Sequence, residues 1–172
     1  MKEYFKYTDD NDKSYGLAGM AIALLTCDSE DMLASVSMEP GEESFEMAGE
    51  FFFATSPRMS AKLAWRDILR QYQVGGNLLL GNILCRHYAS TLRIEQEMLD
   101  AIHTFMVEEG ERWCALEADE VDALYNDRYE YYRRLFQHPR VSAAASDFAA
   151  AIRSHRRMSA AEVMENLRRL TM

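Results

Sequence analysis

The sequence predicts a mainly α fold: a multi-helix, bundle-like single domain over residues 1–172, with a small β-hairpin near residues 33–53 that would make it α+β. Three observations predict it. Apolar residues recur at helical spacing through most of the chain from Ser56 onward. The breaks between those stripes are short, which makes successive helices antiparallel neighbours. With 172 residues, 48% of them apolar and 27% charged, the chain has enough hydrophobic material for a core of its own.

Taken in order, residues 15–26 read as a helix because Ala, Leu and Met dominate them. "LASVSM" (33–38) and "FEMAGEFFF" (45–53) alternate with a period of two. In the second, Phe45, Met47, Phe51 and Phe53 share one face, with Glu46 and Glu50 on the other. "EPGEES" between them is a turn, so a hairpin follows, although both segments also fit short helices. Ser56 and Pro57 offer an N-cap followed by proline at the first helical position, opening a helix that runs to about Gln73. "VGG" (74–76) is expected to end it, with Asn77 capping the next helix, 78–89, apolar almost all round. Residues 91–108 carry a stripe of Ile94, Met98, Ala101, Ile102 and Phe105. Helices 119–137, 143–156 and 160–170 complete the count, with Ser159 and Glu162 forming a capping box before the last. The C-terminal pair, 143–170, reads as a helical hairpin within the domain.

Composition bounds the setting. The N-terminal residues have no apolar signal core, and "LAGMAIALL" (17–25) is too short for a membrane span. Cys27, Cys85 and Cys114 are widely spaced, odd in number and set in or beside apolar segments, as expected for buried free thiols in the cytoplasm. Net charge is −9, unevenly spread. Residues 128–172 hold nine Arg against four acidic residues, a net +5, while the first 127 hold ten basic against twenty-four acidic, a net −14. An acidic body with a basic end presents either a surface for a partner or two faces of one molecule that attract each other.

The chemistry-bearing motifs are few. "GNLLLGNI" (76–83) spaces two glycines as a phosphate loop does, but Asn82 and Ile83 stand where that loop needs Lys and Ser or Thr. Asp100-x-x-His103 is a single imperfect copy of a di-iron motif, and His103 falls on the polar side of its helix. No cofactor, metal or catalytic constellation is therefore expected. Two polar residues sit inside apolar faces. His87 projects between Leu80, Ile83, Leu84 and Tyr88. Arg128 lies in the arc of Val121, Leu124, Tyr125, Tyr132, Leu135 and Phe136, with Tyr129 and Tyr131 at its edges. A guanidinium there must meet a carboxylate, snorkel outward, or face a cleft or subunit interface, and Glu95 is a candidate partner. The cations Arg153, Arg156, Arg157, Arg168 and Arg169 surround a helix–turn–helix-shaped unit. The helix that would enter the groove starts Ala160, Ala161, Glu162, none of which pairs with guanine, and helix C-termini favour cations anyway.

These readings order the functions. The first is a cytoplasmic, non-catalytic protein acting through a protein partner or by homo-oligomerisation, suited by its acidic body, its eleven methionines and its edge tyrosines. The second is a nucleic-acid-associated accessory protein holding phosphates through the arginine cluster. The third is an enzyme with a pocket around His87 or Arg128.

Overall fold

Two helices that touch backbone to backbone organise the molecule. A computed structural model describes residues 6–49, 65–90 and 93–168. Helix α1 (Asp10–Thr26) starts under the Asp9 side chain, which accepts from the Asp12 N–H, and is buried on every side from Gly16 to Leu24. Helix α2 (Trp65–Ala89) is likewise buried from Val74 to Arg86. Their contacts run in opposite senses, Asp12 to Arg86 and Gly16 to Asn82, so the pair is antiparallel. At the crossing, a Cβ on Gly19 would lie 2.1 Å from the Gly81 carbonyl oxygen, and one on Gly81 2.7 Å from Ala23 Cβ. Only glycine lets the two backbones approach this closely.

The fold is mainly α with a small antiparallel sheet, as the sequence predicts. Strand β1 (Leu33–Ser37) pairs with β2 (Phe45–Met47) around the expected turn, where Gly41 takes φ +85°. The second strand is shorter than predicted, and Phe51 and Phe53 lie outside the described residues, as do the expected cap Ser56 and Pro57. Helices α3 (Gln96–Glu109), α4 (Ala118–Gln137), α5 (Pro139–His155) and α6 (Ala160–Leu167) follow. One π-helical turn, Gly110–Cys114, extends α3 and ends at Ala115 with φ +52°. The stripe of α4 is buried at Val121, Tyr125, Tyr132 and Phe136, with Leu124 and Leu135 half-buried. On α3 Ile102 and Phe105 are buried and Met98 half-buried, but Ala101 is exposed.

Two expectations are corrected. "VGG" does not stop a helix: α2 runs unbroken through Gly75 and Gly76, and Asn77 is a buried mid-helix residue rather than a cap. A helical glycine costs about 1 kcal/mol relative to alanine, which the burial of Val74, Leu78, Leu79 and Leu80 in the core exceeds. The turn before α6 is also more than a turn. Residues Arg157–Ser159 form a third strand, β3, antiparallel to β1 on the side away from β2, with Met158 opposite Val36. The Ser159–Glu162 capping box forms as predicted. Among the described residues, no helix is long and apolar enough to cross a membrane.

Candidate functional site

The basic end meets the acidic body. Arg156 closes α5 at φ +62°; its Nη1 donates to Asp10 (2.8 Å), its Nε to Glu39 (3.1 Å) and its Nη2 to the Met38 carbonyl (3.1 Å). The bonds to Asp10 and then Glu39 raise the guanidinium's affinity for its proton. Arg157 pairs with Glu42 at 3.3 Å, and Arg153 donates to the buried Ser14 hydroxyl at 2.6 Å. Arg168 pairs with Glu165 one turn back, and Arg169 lies outside the described residues. Of the two arrangements the charge asymmetry allows, attraction between faces of one molecule accounts for Arg156 and Arg157.

The polar residues singled out on apolar faces are less secluded than the sequence implies. His87 is half-buried, edge-on to the Tyr88 ring at 4.5 Å between centroids. Arg128 is half-buried, and its nearest carboxylate is Asp127, 3.8 Å away, rather than Glu95. Glu95 is exposed and stands at the N-cap position just outside α3, where its side chain makes no capping bond, so the apolar arc assumed for it does not exist there. Arg128 Nε and Asn77 Oδ1 are buried without a hydrogen-bond partner among the described residues. Nearby, burial pushes the Cys27 thiol up, outweighing hydrogen bonds from Ser29 and Asn77 and the Arg128 charge. Burial and then Glu109 push Cys114 up to about 11. All three cysteines are free; Cys85 and Cys114 are buried and Cys27 is half-buried. A thiol held protonated is a poor nucleophile. His103 Nε2 lies 2.6 Å from Asp122 and links α3 to α4 at the surface. Among the described residues no three His, Cys, Asp or Glu side chains gather as a metal site.

The residue the sequence reading missed is Arg86, 1% exposed in α2. Its Nε and Nη2 each donate to Asp12 at 2.6 Å, a bidentate pair. Nη2 also donates to the Lys6 carbonyl (3.0 Å), Nη1 to Asn82 (3.4 Å), and the guanidinium lies 4.9 Å from the Tyr7 ring centre. Asn82 donates in turn to the Tyr7 hydroxyl, and burial raises that phenol to about 12. Burial alone would push the Asp12 carboxyl up, but the Arg86 and Thr8 hydrogen bonds and the Arg86 charge hold it below the ordinary carboxylate range. Each partner is engaged, so the cluster is a structural clamp. Its signal in the sequence is Asn82 and Arg86, four apart, on one stripe of an otherwise apolar helix.

A concave surface among the described residues lies elsewhere, where the end of α4 meets the start of α5. A groove of about 680 Å³ is lined on its apolar side by Tyr131, Leu135 and Val141 and on its polar side by Asp127, Glu130, Arg134 and His138. His138 shapes the corner: its ring nitrogen accepts from the Arg140 N–H as the cap of α5, and Pro139 fills the first helical position. Tyr131 is 40% exposed and Trp65 58%, the exposed large apolar side chains among the described residues. The Trp65 indole donates to the Cys114 carbonyl, whereas Tyr131 faces the groove.

Compared with protein-family models, curated proteins and solved structures, the chain has no match. Sequence reasoning marked Tyr131 as an edge ring, but not the groove, because Val141 joins it only across the break at Pro139.

Proposed function

We propose that this chain is a non-catalytic cytoplasmic interaction protein that binds another polypeptide through the α4–α5 groove. The observation that carries the reading is the exposed Tyr131 ring beside Leu135 and Val141, rimmed by charges of both signs. Aromatic anchors within a polar rim are the usual make-up of protein contact surfaces, since a ring buries large area while ordering few torsions. The free, protonated thiols fit a reducing compartment. The nucleic-acid reading draws less support, because Arg156 and Arg157 are committed to carboxylates of the same molecule. The enzyme reading draws less still, because the groove contains neither His87 nor Arg128.

A photo-reactive phenylalanine analogue in place of Tyr131, with the same analogue at exposed Glu108 as control, tests the groove in cells expressing the chain. A discrete protein adduct from position 131 that is absent from position 108 supports the reading. Equal or absent adducts at the two positions overturn it.

A further inference from the structure

The charges beside Tyr131 are arranged to answer one another between copies. Residues 127, 131, 134 and 138 follow the four–three–four spacing that keeps side chains on one helical face. Asp127 stands on one side of Tyr131 and Arg134 on the other. Both are conspicuously under-used. Asp127 (74% exposed) reaches Arg128 only at 3.8 Å, and Arg134 (75% exposed) reaches Glu130 only at 3.9 Å. The ion pairs of Arg86, Arg133, Arg156 and Arg157, by contrast, span 3.3 Å or less. Glu130 is already held by Arg133, so it offers Arg134 little.

We infer that the occupant of the groove is a second copy of this chain, its α4 antiparallel to the first about a two-fold axis near Tyr131. The inference rests on the groove reading above. Along a helix rising about 1.5 Å per residue, Asp127 and Arg134 lie about 5 Å on either side of the axis. Antiparallel copies therefore set Asp127 of each against Arg134 of the other, twice, with the Tyr131 rings meeting between them. A parallel pairing would set like charge on like. A two-fold contact must be self-complementary, and an acidic residue and a basic residue flanking one apolar ring satisfy that condition. His138 and Val141 extend the contact at both ends.

Charge reversal with sedimentation velocity tests this on the full chain, up to about 100 µM, an affinity range typical of weak dimers. Wild type is expected to dimerise. Asp127→Arg and Arg134→Asp each place like charges together and should weaken association at least about tenfold. The double variant D127R/R134D restores opposition and should dimerise again, as should an equimolar mixture of the two single variants. Both positions are exposed, and circular dichroism of each variant confirms that the helices persist. A monomeric wild type, unaffected single variants, or a double variant that stays monomeric overturns the second-copy inference. A monomeric wild type whose position 131 still cross-links to a different polypeptide leaves the groove reading standing; loss of that cross-link removes both.

Discussion

Arg86 and Asp12 bind two distant helix positions by placing opposite charges where both side chains are largely buried. Such a pair adds little over a well-packed apolar one, but removing one partner strands the other and costs about 3–5 kcal/mol. Asp12→Ala is therefore expected to lower stability by that amount in urea unfolding, while the double change D12L/R86M loses less than D12A alone. The pH dependence has a definite sign. The folded Asp12 carboxyl lies below its unfolded value, so its contribution is complete above about pH 4 and is lost as pH falls through the folded value. Wild type should lose stability more steeply than Asp12→Asn as pH falls below about pH 4. Parallel pH profiles for the two proteins would contradict this account of the clamp.

The helices differ in how much of them can be foretold. Patterns that depend on neighbours in sequence were legible: the stripe of α4, the Ser159–Glu162 box and the turn between β1 and β2. Patterns that depend on what lies opposite were not. "VGG" carries a local stop signal that core burial overrides, and Arg157–Ser159 is strand only because β1 is there to pair with it. The same division runs through the candidate site, where Tyr131 was visible at a stripe edge but its neighbours across Pro139 were not. Two glycines of α2 make the distinction measurable. Gly81→Ala drives a methyl into the α1 backbone and should destabilise by about 1–3 kcal/mol or more. Gly76→Ala meets only the flexible end of Met106, 2.7 Å away, so the gain in helix propensity should offset much of the clash. Thermal melts of the two variants should separate widely, with Gly81→Ala the lower.

Across the whole molecule, the basic end neutralises part of the acidic body, which bears on what the surface attracts. With a net charge of −9 and Arg156 and Arg157 engaged, the chain should not retard a DNA duplex in gel electrophoresis near 0.15 M salt, a concentration of about physiological strength. Neutralising their partners together (Asp10→Asn, Glu39→Gln, Glu42→Gln) should release both arginines and raise duplex affinity in a salt-dependent way. Retardation by the unmodified chain would return the arginine cluster to the list of contact surfaces. The sheet has a consequence in time as well as in space. Its central strand, β1, is made early, yet the neighbour that covers one of its edges, β3, is made more than a hundred residues later. On the ribosome, α1 and α2 can associate while that edge still displays unpaired backbone groups, the condition in which strands join the wrong chain. Synthesis must pass Ser159 before the edge is closed, so the growing chain is most exposed to mispairing just before the last strand emerges.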